Sequence, residues 1–174
     1  MRKLLSLAAL LLLAAPAFAL EVTAVSTVPV KGAALADFTF GPLTVKNIAW
    51  EGGAVVLPVT DNKGRKYTDV KLLSKSLYGK IEACFKDGFT KPAKAPAMPK
   101  VKVDSFRVHK SKARVASAEI SFDGELLAVA GVMASRKEEG AFWVAFPPDL
   151  DFPDRAFKSA VESAVIAAWV KKGK

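Results

Sequence analysis

Apolar and polar residues alternate along most of this chain, and twice the alternation gives way to a helical period. In "ALADFTF", Ala34, Ala36, Phe38 and Phe40 fall on one side and Asp37 and Thr39 on the other, the period of a half-buried strand. The same reasoning predicts strands over residues 21–30, 34–40, 43–50 and 54–59, with a weaker fifth over 67–73. Lys31-Gly32, Gly41-Pro42 and Glu51-Gly52-Gly53 separate the first four as turns. Leu77, Ile81, Cys84 and Phe85 then recur at helical spacing. Ser74 is placed to cap that helix and Gly88 to end it, which predicts a helix over 74–86.

Residues 90–100, "TKPAKAPAMPK", follow no period. Prolines and lysines among small residues predict a semi-rigid extended linker, reaching about 30 Å at ~3.1 Å per residue. Beyond it the earlier order returns. Strands are expected over 101–109, 113–122, 125–134 and 141–146, with Asp123-Gly124 as a hairpin turn. A Pro-Asp loop over 147–154 leads into a helix from Arg155 to about Val170, capped by Asp154, with Phe157, Val161, Val165 and Trp169 on one side. "GAVVLP" (53–58) in the first half answers "GAFWVAFP" (140–147) in the second. The expected fold is α+β: two repeats of a small antiparallel β-sheet followed by a C-terminal helix, packed as an intramolecular pseudo-dimer. A module of ~70 residues buries little core alone, and pairing two of them covers edge strands.

The first nineteen residues follow neither period. Arg2 and Lys3 precede an apolar run from Leu4 to Ala15, Pro16 breaks it, and Ala17-Phe18-Ala19 has the small-x-small pattern of a cleavage site. These are the three parts of a secretory signal peptide. The run is shorter than the ~20 residues of a spanning helix, and no later stretch is long enough to cross a membrane. The expected organisation is a signal peptide over 1–19, a first unit over 20–88, a linker over 89–100 and a second unit over 101–174. The mature protein would be periplasmic or secreted, with a net charge of +7 out of +9 once Arg2 and Lys3 are removed. Cys84 is the single cysteine, so no intramolecular disulfide can form although the compartment permits one. Its place beside Ile81 and Phe85 predicts a thiol packed as a small hydrophobe.

The first unit resembles the stage V sporulation protein G (SpoVG) septation regulators. The resemblance rests on "VTAV" in the first strand and "LTVKNIAWEGGAVVLP" in the middle. Val45, Asn47, Ile48, Gly53, Val56 and Pro58 match the family pattern by position, with Asn47 where the family usually has Asp. Gly64, Tyr67, Asp69, Val70 and Ile81 match further on. The likeness spans about residues 22–85, and the second unit joins it mainly through "GAFWVAFP" and its helix. It implies a small sheet-plus-helix domain that dimerises, a role in septation and sporulation control, and DNA or RNA binding in some members. The family's basic run after the proline is here "VTDNKGRK" in the first unit and "PDLDFPD" in the second. Both lower the expectation of nucleic-acid binding, as does the signal peptide.

Basic charge is informative where it clusters. "RVHKSKAR" sets Arg107, Lys110, Lys112 and Arg114 on an expected hairpin, and "KGRKY" places Lys63, Arg65 and Lys66 beside Tyr67. Basic hairpins can track phosphates with a steep salt dependence, and an adjacent aromatic can stack a base. The same loops suit anionic envelope polymers or lipid headgroups. His109 is the one histidine, so it forms no metal cluster, and it is expected to be exposed near a hairpin tip. No GxSxG, HExxH, CxxC or phosphate-loop pattern occurs. The expectation is a non-enzymatic module without metal or cofactor, binding a protein or an envelope polyanion, with nucleic-acid binding through the two basic loops as the alternative. Trp143 is expected in the core and Trp50 at an exposed strand end.

Overall fold

A computed structural model describes residues 19–30, 33–62 and 64–173. The expected signal peptide over 1–19, all but Ala19, and Lys63 lie outside the described residues. The chain is α+β, with antiparallel pairing throughout. β1 (Ala24–Val30), β2 (Ala33–Phe40), β3 (Leu43–Glu51) and β4 (Ala54–Val56) form a meander. A small hairpin follows, β5 (Thr60–Asn62) and β6 (Arg65–Tyr67), then β7 (Val70–Leu72) and α1 (Lys75–Asp87). After the linker come β8 (Val101–Val108), β9 (Arg114–Phe122), β10 (Leu126–Ala134), β11 (Phe142–Ala145), β12 (Leu150–Asp151) and α2 (Arg155–Lys172).

The two large sheets exchange a strand. β12, from the second half, pairs with β3, while β7, from the first half, pairs with β10. Two sequence expectations change here. The fifth strand over 67–73 is two elements: Tyr67 closes the small hairpin, and Val70–Leu72 belongs to the other sheet. The loop over 147–154 contains β12, whose two residues are too short to show a period. The exchanged strands dock in the same register. Leu150 opposes Val45 as Val70 opposes Ala128. The Lys46 amide donates to the Asp149 carbonyl, and the Val129 amide to the Asp69 carbonyl, both at 2.7 Å. Val55 of β4 opposes Trp50, and Val144 of β11 opposes Val132, so the two Pro-terminated strands hold equivalent places.

Both helices start as their caps dictate. The Ser74 hydroxyl accepts from the Leu77 amide, and the Asp154 carboxylate accepts from the amides of Ala156 and Phe157, satisfying donors that have no partner within the helix. Leu77 and Ile81 of α1, and Phe157, Val161 and Val165 of α2, face one continuous core with Phe38, Phe40, Ile48, Ile120 and Phe122. Each fully buried large apolar side chain contributes about 1.5–3 kcal/mol. Phe85 ties α1 to Phe38 and Trp50, and Trp169 ties α2 to Phe106 and Phe142. Trp143 is not in the core: it is 51% exposed. Val144 takes the inward place on β11, and the strand's alternation turns its neighbour outward. No described helix is long and apolar enough to cross a membrane.

Candidate anion-binding groove

Two β-bulges decide which side chains reach the outer face of the second sheet. In β8, Val101 and Val103 pack on the core, so strict alternation would send Ser105, Arg107 and His109 inward as well. The register shifts between Val103 and Ser105, leaving Asp104 as an extra residue. The parity reverses: Phe106 turns in, and Ser105, Arg107 and His109 turn out. Asp104 is held by Lys102 at 2.7 Å, and that contact with the Ser121 hydroxyl keeps its carboxyl below the usual range. In β9 a second shift leaves Val115 unopposed, since Val132 pairs with Ala116 and Met133 with Arg114. Arg114 is thereby re-aimed outward, as bulges commonly do beside binding sites. Its guanidinium lies across Gly131, with Nε 3.0 Å from where a Cβ on that residue would sit.

These residues floor a groove of about 860 Å³. Ser105, Arg107, His109, Arg114, Ser117, Glu119 and Val129 come from the sheet, Asp69 and Lys71 from the exchanged strand, and Lys110 and Ser111 from the β8–β9 turn. Thr60, Tyr67 and Thr68 of the small hairpin form the opposite wall. That hairpin is what makes a groove out of a sheet face. Ten residues separate Pro58 from Asp69, whereas one separates Pro147 from Asp149, and the difference is β5–β6. Among the described residues the matching face of the first sheet carries no such hairpin, and its lysine is paired. Lys46 lies 2.9 Å from Asp151, and Asn47 donates its side-chain amide to Asp149 and its backbone N–H to Asp37. The Lys46 hydrogen bond, aided by the Phe152 N–H, holds the Asp151 carboxyl below its ordinary value, and the same contact raises the Lys46 ammonium. That pair borders a hollow of about 380 Å³ beside Trp143 and Lys158.

In the groove the charges are free. Among the described residues, Lys71, Arg107, Lys110 and Arg114 make no ion pair, and neither do Asp69 and Glu119. Glu119 accepts from the Ser105 hydroxyl at 2.7 Å. The Ser111 hydroxyl accepts from the amides of Ala113 and Arg114, which shapes the turn beneath Lys110. His109 is half-buried rather than exposed: its Nε2 is 2.7 Å from the Ser117 hydroxyl. The two are near neighbours across the strands, which chain spacing alone does not reveal.

The fold thus brings Tyr67 from one basic loop together with Arg107, Lys110 and Arg114 from the other. Arg65, Lys66 and Lys112 are exposed but lie outside the lining. Lys71 and the Asp69 carboxylate join the site only through the strand exchange, and His109 through the β8 bulge, while Glu119 reaches it by the plain alternation of β9. The described residues hold no group of three His, Cys, Asp or Glu side chains disposed to bind a metal. Cys84 sits half-buried in α1, away from the groove, and burial pushes its thiol pKa up. No family model, curated protein or solved structure matches the chain.

Proposed function

We propose that the chain is an exported, non-enzymatic binding module whose groove takes an acidic polysaccharide of the cell envelope. The observation that carries this reading is the convergence of four unpaired cations with two unpaired carboxylates, several hydroxyls and an exposed tyrosine in one groove. Guanidinium and ammonium groups pair with the acid substituents of such a polymer. Asp69 and Glu119 disfavour a ligand that offers only anionic acceptors, such as polyphosphate, but they accept hydrogen bonds from sugar hydroxyls. Tyr67, 44% exposed on the rim, offers a ring face to a sugar. Export is supported by the features of residues 1–19. A tandem duplication, giving a pseudo-dimer on one chain, is supported by the matched registers of the exchanged strands and by the two Gly-Ala to Pro strands. A link to the division septum rests on the SpoVG resemblance of the first unit.

Titration calorimetry with polygalacturonate, polyphosphate and single-stranded DNA, at about 50 and 200 mM salt, tests this reading. Polygalacturonate is expected to bind best, more weakly at high salt, and the Arg107→Ala/Arg114→Ala double variant to bind about tenfold or more weakly. Tighter binding of DNA, lost in the same variant and falling steeply with salt, would establish the nucleic-acid alternative instead. Absence of binding to all three at low salt would end both.

A further inference from the structure

Among the described residues the packed core begins at Leu20, the residue that directly follows the small-x-small pattern. Leu20 is 3% exposed and Val22 6%. The backbone nitrogen of Leu20 points at a carboxylate: it donates to Glu125 Oε2 at 2.7 Å. The other oxygen, Oε1, accepts from the Ser74 hydroxyl at 2.8 Å, and that hydroxyl also caps α1. Lys80 of α1 donates to the Leu20 carbonyl and to Glu21, each at 2.8 Å. A backbone amide offers this carboxylate a single proton and no charge. An α-ammonium at the same place would offer three donors and a full positive charge.

We infer that this is a docking site for a new N-terminus, created by hydrolysis of the Ala19–Leu20 bond. The inference rests on the export reading and is independent of the ligand. A signal-removing endopeptidase supplies the cleavage, with water as co-reactant. The C–N bond breaks, hydroxyl goes to the Ala19 carbonyl carbon and hydrogen to the Leu20 nitrogen, and at neutral pH the amine takes up one more proton from solvent. Cleavage precedes folding, because the bond flanks a buried residue. The ammonium then closes an ion pair with Glu125 that uncleaved chain cannot form. Maturation therefore locks the N-terminal segment to the β9–β10 turn and to the cap of α1 together.

The charged groups facing the site are Glu125 from that turn, Lys80 from α1 and Glu21 beside it. An amine held by a carboxylate keeps its proton to higher pH than a free one. The added stability is thus full below the free α-amine value of about 7.7–8.0 and is lost as pH rises through the higher folded value. The test compares a chain beginning at Leu20, released from a cleavable fusion, with the full 174-residue chain and with one beginning at Ala19. Each is made with Glu125 and with Glu125→Gln, and urea unfolding is followed at about pH 6.5 and pH 10. The Leu20 chain is expected to have an unfolding constant about tenfold smaller than the Ala19 chain at the lower pH. That gap should close at high pH, in Glu125→Gln, and after acetylation of the Leu20 amine should the Gln variant fail to fold. Equal stability at the lower pH, or a gap that survives acetylation or Glu125→Gln, would overturn the docking. Separately, N-terminal sequencing of the exported protein should read Leu20 first, and any other first residue would overturn the cleavage position.

Discussion

Phe152 is the sharpest place to test whether the two sheets stand or fall together. It follows directly on β12, the strand lent to the first sheet, yet its ring belongs to an aromatic cluster of the second half. Its centroid lies 4.6 Å from that of Phe146, 6.2 Å from Phe157 and 6.4 Å from Phe122, and the residue is 6% exposed. Phe152→Ala removes the ring and leaves a cavity among side chains that cannot all collapse inward, at a cost of about 3–5 kcal/mol. That is a large share of the roughly 5–15 kcal/mol that holds a domain. With a urea slope of about 2 kcal/mol/M the midpoint should fall by about 1.5–2.5 M. Trp50 reports on the first half through its stack on Phe85, so the measurement is made in a Trp143→Phe/Trp169→Phe background, against that background alone. Fluorescence of Trp50 and far-UV circular dichroism should shift together by the same amount. If Trp50 keeps its parent midpoint while the circular dichroism falls, strand exchange does not couple the halves and the reasoning is wrong.

Other outcomes follow from the same geometry. Gly131→Ala should displace the Arg114 side chain, since the new methyl would sit 3.0 Å from Nε; polygalacturonate affinity should drop several-fold while the melting temperature holds, and unchanged affinity would remove Arg114 from the site. Asp151, whose carboxyl is lowered by Lys46 and the Phe152 N–H, adds stability above its ordinary value near ~3.9 and loses it as pH falls through the lower folded value. Asp151→Asn should therefore cost under ~1 kcal/mol at neutral pH, because the pair is half-exposed. Its penalty should shrink as melts are taken below about pH 4, and a penalty unchanged down to about pH 2 would contradict the assignment. Cys84, with its thiol pKa raised by burial, should alkylate at least about tenfold more slowly than a free thiol at about pH 8 and at the free rate in denaturant; fast native labelling would show α1 to be open.

What was legible in the sequence is what depends on near neighbours. Phe38 and Phe40 against Asp37 and Thr39 announce a two-sided strand, and Ser74 and Asp154 announce their helices by cap chemistry alone. The destination of Val70–Leu72 was not legible, because three residues specify a strand but not which of two open edges receives it. Leu150 and Asp151, enclosed by prolines, carry no period at all. The inward Val101 and Val103 followed by inward Phe106 do leave a trace of the β8 bulge, an odd-to-even change of parity. The bulge at Val115 leaves none. The spacing from Pro58 to Asp69 against that from Pro147 to Asp149 marks the inserted hairpin. Only the fold, however, shows that this insertion from one half roofs a face of the other, bringing Tyr67 to Arg107, Lys110 and Arg114.

The single inserted hairpin bears on stoichiometry. A symmetric pair of identical subunits must carry every insertion and every charge twice, and so presents two equal sites that can communicate. Here both sheets are encoded on one chain, and among the described residues only one of the two corresponding faces is roofed and left with unpaired cations, while on the other Lys46 is paired with Asp151. If the groove binds as proposed, such a molecule is monovalent: it should saturate at one ligand segment per chain with a simple hyperbola, and it should not cross-link a polymer without a second copy of itself.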